Sequence, residues 1–419
     1  MKDFDSKKKQ SQSEVPKSGY QKLKDEGMFW VLPRFIWDWI WKKIPSRLRT
    51  PLIIILGIFF IGFVVLKTLS SIGKPILFSG SSDIASRLPI PIADPNRFSI
   101  MVANLSRDSV GMFKNLIIED LKEISDIQVL NLDREINIEG IDPQKATEEG
   151  HLKAKEYLQE SRANILLWGT IIKNVPKLYW TTQGIQGYKK DGRYVITSAD
   201  QTLPELFWND LGSILQLITV TQHATFISQK GNYIADQLRP YIERVKHLVH
   251  APLPAIKNTD LVIIYIILGN SLVTSGFQGG NDNDLEEAII IYQDVLKILN
   301  QSNSPLNWAL IQNNLGSALS ILGEHRERLD YFIQAVSAFN EALKERKREL
   351  VPLDWAATKQ NLGIVLSDLG EREKDTTYMK DAVAALEDAL GEQPLEYVPV
   401  LWAMTYHNLG SALFRLGIL

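Results

Sequence analysis

Asn314-Leu315-Gly316 returns as Asn361-Leu362-Gly363 and as Asn408-Leu409-Gly410, 47 residues apart each time. Trp308-Ala309 keeps the same step with Trp355-Ala356 and Trp402-Ala403. So does Leu322-Gly323 with Leu369-Gly370 and Leu416-Gly417. Gly269, in Ile267-Leu268-Gly269, and Gly276 stand 47 residues before Gly316 and Gly323, so an older, degraded copy precedes the three clear ones. A fixed period of this size marks a stacked-repeat architecture.

The copy from Leu306 to Leu350 defines the unit. Leu306, Leu310, Leu315, Leu319 and Leu322 approximate the spacing of a helix, A, with one buried face. Gly316 falls inside that helix, where glycine costs about 1 kcal/mol relative to alanine. Its return in every copy points to two helices approaching closely there. Gly323 is placed to end helix A as a left-handed cap. A second helix, B, follows with Ala335, Val336, Phe339, Ala342 and Leu343. The same places hold Ala288, Ile289, Tyr292, Val295 and Leu296 in the first copy, and Ala382, Val383, Leu386, Ala389 and Leu390 in the third. One such helix pair cannot bury its apolar face alone, so neighbours stack. Trp308, Trp355 and Trp402 recur with the fold period and are expected in the core between repeats.

The unit resembles the tetratricopeptide repeat. The likeness is carried by the Leu-Gly pairs of helix A (Leu315-Gly316, Leu362-Gly363, Leu409-Gly410) and by the small–large–small series of helix B (Ala335, Phe339, Ala342; Ala382, Leu386, Ala389). It covers residues 257–419. The family's usual unit is about 34 residues, and the additional length here is expected in the A–B turn, Gly323 to Asp330, and between repeats, Glu345 to Leu353. The resemblance implies an inner wall that binds protein or peptide segments. Candidate partner-binding residues, one helical turn apart on helix A, are Asn313 and Ser317, Gln360 and Ile364, and His407 and Ser411. The alternative for each is an ordinary solvated helix position. The sequence stops at Leu419, just after helix A of the fourth copy. Thr405 to Leu416 is therefore expected either to act as a lone capping helix or to be covered by a partner or second chain.

The 419 residues are enough for two or three domains, and an apolar fraction of 45% with 23% charged residues is ordinary for a folded protein. A net charge of −3 argues against nucleic acid as a partner. The absence of cysteine excludes disulfides, thiolate metal sites and cysteine nucleophiles, and suits an oxidising compartment slightly better than a reducing one.

Residues 1–27, with Lys7-Lys8-Lys9, are polar and expected to be disordered. Residues 28–50 carry Trp30, Trp37, Trp39 and Trp41 beside Lys42-Lys43, with Pro33, Arg34 and Asp38 interrupting. That pattern fits a helix lying in the membrane interface, the alternative being a buried core helix. Residues 51–69 read as a single transmembrane helix, an uncharged run from Leu52 to Leu66 extended by Lys67, Thr68 and Leu69. Fifty residues precede it, so it is expected to be a retained anchor rather than a cleaved signal. Arg34, Lys42, Lys43, Arg47 and Arg49 on one side outnumber Lys67 and Lys74 on the other. This places the N-terminus in the cytoplasm and the later domains in the periplasm or outside the cell.

Residues 70–95 read as a linker rich in glycine, serine and proline. Residues 96–199 alternate strand and helix: Phe98 to Ala103, Val110 to Ile124, Ile127 to Leu130, Ala146 to Ser161 and Asn164 to Ile171. A hairpin of Lys177 to Thr182 with Tyr194 to Ser198 follows, about a turn at Gly184 to Gly192. The stretches Ile100-Met101-Val102-Ala103-Asn104-Leu105-Ser106 and Ala163-Asn164-Ile165-Leu166-Leu167-Trp168-Gly169-Thr170 resemble the N-terminal α/β domain of TolB and related bacterial envelope proteins. Asn164 and Trp168 depart from the common pattern. That resemblance implies a noncatalytic, partner-binding domain. Residues 200–256 return to helix and are expected to bridge to the first repeat.

No phosphate loop, zinc-protease motif or nucleophile elbow is present. The six histidines are scattered. His247 and His250 have helical metal-pair spacing but no adjacent carboxylate cluster. Gly279 to Asp284 lacks the glycine and terminal glutamate of a calcium loop and reads as a helix start, with Asp284 as cap and Glu287 three residues on. Glu119-Asp120 and Glu148-Glu149 are expected on solvated helix faces. The sequence therefore describes a multidomain chain: one transmembrane helix, a small α/β domain and a C-terminal all-α solenoid of tetratricopeptide type. No cofactor and no metal are expected. The partners expected are a protein or peptide, the lipid membrane and a homo-oligomeric copy. The function expected is a membrane-anchored interaction scaffold. The alternative is a membrane effector or sensor of a bacterial signalling or defence system, and the third class is an enzyme sited in residues 96–199.

Overall fold

A strand covered on both faces reads as an unbroken apolar run, and β1 (Phe98–Asn104) is buried at every position except Asn104. The computed structural model describes residues 88–137, 143–173, 175–183, 189–190, 193–194, 201–202, 211–228, 230–250, 258–299, 301–302 and 304–418. The expected tail (1–27), interfacial helix (28–50) and membrane span (51–69) lie outside these residues. After β1 come α1 (Met112–Lys122), β2 (Ile127–Glu135), α2 (Pro143–Ser161), β3 (Ile165–Ile172) and β4 (Val175–Thr182). Then follow β5 (Lys189–Lys190), β6 (Arg193–Tyr194) and β7 (Gln201–Thr202). The main sheet has the order β2-β1-β3-β4-β7. β1 pairs parallel with β2 and β3, and the remaining pairs are antiparallel. The first crossover runs from β1 to β2 and the second back from β2 across β1 to β3, in opposite directions along the sheet, so right-handed connections put their helices on opposite faces. Phe98, Ile100 and Val102 share a core with Phe113, Ile117 and Leu121 of α1. Met101 and Ala103 pack with Ala154 and Leu158 of α2.

Both departures from the TolB-type pattern have a local cause. Asn164 accepts hydrogen bonds from the Ser99 amide (2.8 Å) and hydroxyl (3.1 Å), fastening β1 to β3. Trp168 stacks on its cross-strand neighbour Tyr179 (4.4 Å between rings) and donates to Thr181 Oγ1 (2.9 Å). The expected hairpin is corrected. β4 pairs with Gln201-Thr202, and Tyr194 pairs with Lys189. The glycine-rich stretch thus contains its own short pair instead of a single turn. The last linker residues also belong to the domain: Ala93 is buried, and its amide donates to Ser161 O (2.7 Å).

Helices α3 (Leu211–Ser228) and α4 (Ala235–His250) follow. α3 lies on the α1 face of the sheet and also meets the first repeat, with Thr221 Oγ1 2.8 Å from Ser271 Oγ. His223 rests on Phe98 (5.5 Å between rings). Gln216, buried, donates to Asp120 O (2.8 Å) and Glu123 (3.3 Å) and accepts from Arg244 of α4 (2.8 Å). Asp120 is therefore buried, contrary to the solvated position expected, because α3 covers the end of α1. One hydrophobic core runs from the sheet through α3 and α4 into the repeats.

Burial keeps the His223 imidazole below its ordinary value of 6.5, with Asp126 opposing weakly. The unfolded chain then binds a proton near pH 6.5 that the folded chain refuses, so stability falls as the pH drops below that value. Urea unfolding followed between pH 7.5 and 5 is expected to show this acid-side loss, and His223→Gln is expected to reduce it.

The repeats are α5 (Asn258–Gly279) with α6 (Asp282–Ile298), α7 (Pro305–Arg326) with α8 (Leu329–Glu345), α9 (Pro352–Glu373) with α10 (Thr376–Gly391), and the single helix α11 (Pro399–Ile418). Pro305, Pro352 and Pro399 each open a helix A, where the missing amide costs nothing. A Cβ on Gly269 would come 2.5 Å from the Tyr292 ring, on Gly316 2.7 Å from Phe339, and on Gly363 2.6 Å from Leu386. These large residues are themselves 47 apart. The close approach read from the glycines is therefore the A–B crossing.

Gly323 does not cap its helix. It lies within α7 against Tyr331 and Phe332, and Gly370 lies likewise against Met379. The left-handed residues are Glu327 (φ 53°) and Lys374 (φ 54°), at the place where the first copy has Gly280 (φ 62°). The A–B turn is consequently two residues long, and the length beyond the family's usual unit sits in the 22-residue A helices and the loop after B. Asp284 is corrected as well. α6 is capped by Asn281, whose side chain accepts from Asn283 N (3.2 Å), while Asp284 is buried against Arg239 and Ser275. Trp308 is buried as expected. Trp355 is half-buried between Arg348 and Lys359, and Trp402 is half-buried against Tyr406. Val262–Gly279 of α5 is long and apolar enough to cross a membrane, but 56% of it is buried among neighbouring helices, as befits a core helix.

Candidate functional site

Helix A presents one face to helix B through its glycines and leaves another to line the wall of the stack. Where that wall meets the sheet it forms a recess of about 340 Å³. Trp180 of β4, Ile218 and Gln222 of α3, Asn270, Val273 and Thr274 of α5, Tyr292 of α6, and Leu310, Asn314 and Ser317 of α7 line it. No lining side chain carries a charge at neutral pH. Burial pushes the Tyr292 phenol up, which keeps it neutral.

The polar atoms are ordered by a file of amides running across three repeats. Asn361 Nδ2 donates to Asn313 (3.3 Å), Asn313 Nδ2 to Asn314 (3.2 Å), and Asn314 Nδ2 to Asn270 (2.8 Å). Tyr292 also donates to Asn270 Oδ1 (2.7 Å). The carbonyl oxygen of Asn270 is thus taken twice, and its amine group is left to the recess among the described residues. Gln222 is exposed at the rim. Apolar walls with oriented amide donors and acceptors suit an uncharged side chain and the backbone of an extended peptide.

Ser317 alone of the six candidate residues lines the recess, and it returns its hydroxyl to Asn313 O (3.1 Å). Asn313 is buried one position away and serves the amide file. Gln360 is buried in a seam, accepting from Thr405 (2.8 Å) and Gln393 (3.4 Å). Its counterpart seam one repeat earlier joins Arg346 to Thr358 (2.8 Å). Ile364 and Ser411 are half-buried and His407 is exposed. The wall in this region is written by the asparagine of Asn-Leu-Gly and the residue three further on. Asn270 could have been found by counting 47 back from Ser317. Trp180 and Gln222 carry no such signal, because they arrive from outside the repeats.

In the α/β domain the polar residues at the carboxyl ends of β1 and β2 bind one another. Lys114 is buried and donates to Asn104, to Leu132 O (2.9 Å) and to Asp133 (3.4 Å); Ser106 pairs with Glu135. Burial lowers the Lys114 pKa, but its three donors are already engaged in fixing the β1–α1 loop. His247 is exposed.

Residues 308–346 and 355–395 match the family model of the tetratricopeptide repeat, each match beginning on the recurring tryptophan. The match does not extend to the α/β domain, whose resemblance to TolB-type domains rests on the two quoted stretches. No curated protein matches the chain.

Proposed function

Starting from residues 308–346 and 355–395 as tetratricopeptide repeats, we propose that the protein is a membrane-anchored interaction scaffold that binds an uncharged, extended peptide segment of a partner protein. The observation carrying this reading is the amide-lined recess shared by α3, α5 and α7. Tetratricopeptide repeats generally bind protein partners, and the absence of lining charge selects against strongly acidic or basic ligands. Anchoring rests on residues 51–69 with their uncharged run from Leu52 to Leu66, and the lysine and arginine asymmetry around it favours a periplasmic or extracellular side for the repeats.

Random extended peptides displayed against the full chain in detergent are expected to enrich ligands with an uncharged anchor residue. Ser317→Trp, which fills the recess, is expected to weaken such a ligand about tenfold or more, with an unchanged melting temperature. Equal affinity in that variant would remove the recess from the binding surface.

The rival reading, a membrane effector or sensor of a bacterial signalling or defence system, draws on one feature. Trp180 belongs to the sheet and also floors the recess, so an occupant touches both domains. Protease treatment of intact cells separates the two. Cleavage of the repeats from outside supports the scaffold as oriented here; protection of the repeats in the cytoplasm supports the rival.

A further inference from the structure

We infer that the anchor residue taken by the recess is a glutamine or asparagine, held by its primary carboxamide. With the recess read as the peptide-binding surface, as proposed above, its hydrogen-bonding groups select among uncharged side chains. The amide file has one direction. Asn361, Asn313 and Asn314 each donate to the next carbonyl oxygen, and the series ends on Asn270. The Tyr292 hydroxyl pins that end, sharing the Asn270 oxygen with Asn314 (2.7 and 2.8 Å). Turning the Asn270 amide over would set its amine against the Asn314 amine, so Asn270 Nδ2 stays the donor left to the recess among the described residues.

The hydroxyls are committed the other way. Thr274, one helical turn on from Asn270, donates to Asn270 O (2.9 Å). Ser317, at Asn270's place in the next repeat, donates to Asn313 O (3.1 Å). Each oxygen keeps its lone pairs for an incoming donor. The recess thus offers an amine donor and two hydroxyl acceptors among the apolar walls of Trp180, Ile218 and Leu310. A primary carboxamide complements both kinds. Its oxygen accepts from Asn270 Nδ2, and its amine donates to Thr274 Oγ1 or Ser317 Oγ. A trans backbone amide points its N–H and C=O in opposite directions and serves only one of them. A carboxylate brings no donor and an ammonium no acceptor, and neither meets an opposing charge among the lining side chains. Methionine matches glutamine in length but leaves the polar atoms of the recess without partners once their water is displaced.

The test selects displayed heptapeptide libraries on the full chain in detergent. Their flanks are random and uncharged, and the central residue is fixed as Gln, Asn, Met or Glu. The Gln and Asn libraries are expected to be enriched about tenfold over the Met and Glu libraries. Asn270→Ala, or the isosteric Thr274→Val, should cut that margin to about threefold or less while Met peptides bind as before. Thr274→Val keeps the shape of the helix, so an unchanged melting temperature separates a lost hydrogen bond from lost folding. Enrichment that Ser317→Trp abolishes but that favours Met or Glu overturns the carboxamide anchor and leaves the recess as the binding surface. A carboxamide margin indifferent to both Asn270→Ala and Thr274→Val overturns it as well. No enrichment, or enrichment indifferent to Ser317→Trp, overturns the anchor and the recess together.

Discussion

Gly316→Leu is expected to destabilise the protein by about 3 kcal/mol, while Gly410→Leu raises stability by roughly 0.8 kcal/mol. The two glycines are the same residue of the same motif, 94 positions apart in sequence. At Gly316 the first added carbon would already stand 2.7 Å from the Phe339 ring, and Phe339 is 1% exposed with no room to turn away. The helices must separate, and the A–B core of that repeat opens with them. A Cβ on Gly410 would meet no described atom within 4 Å beyond its chain neighbours and the nearby backbone of its own helix, so only the helix-forming preference of leucine over glycine remains. Circular dichroism during urea unfolding reads both values. Equal effects at the two positions would mean that the glycines do not mark the A–B crossing.

Arg239→Ala is expected to cost about 2–3 kcal/mol, the second large effect. Asp284 is 2% exposed and is held by both terminal nitrogens of Arg239 (3.0 and 2.7 Å) and by Ser275 Oγ (2.7 Å). Without Arg239 a carboxylate stays buried with one hydroxyl for company. The figure sits below the usual range for a broken buried pair because the arginine is 44% exposed and water reaches the site. Replacing both partners, Arg239→Met with Asp284→Leu, is expected to recover most of the loss, since no charge is then left buried. A double variant as unstable as the single one would show that packing, not charge, holds α4 to α6.

Asp284 also marks where the sequence stops being legible. The period exposed the repeats because one contact geometry is reused: a glycine on helix A against a large residue on helix B, at 269/292, 316/339 and 363/386. Nothing periodic records Arg239, which reaches Asp284 from a helix outside the 47-residue pattern. For the same reason α3 and α4 read as a bridge. Their residues answer both to the α/β layer, through Gln216 and His223, and to the first repeat, through Thr221 and Arg239, and none of these contacts recurs at the period. Gly323 misled because a glycine after an apolar helix usually ends it, whereas here the left-handed turn falls on Glu327 and the glycine serves packing. The stronger boundary signal, Pro305, Pro352 and Pro399, was present at the period itself. In the candidate site Ser317 was legible from wall spacing. Asn313 and Gln360 point one position off the wall, an angle that spacing alone does not resolve, and Trp180 comes from another layer altogether.

The most direct experiment places a photo-crosslinking amino acid at Gln222 or Ser317 on the recess, and at Ile290 or Ile333 on the exposed faces of α6 and α8, in the full chain in cells. Adducts to a defined partner peptide from the first pair of positions, and none from the second, are the result expected if the A-helix wall is the working surface. Adducts confined to Ile290 and Ile333 would contradict it.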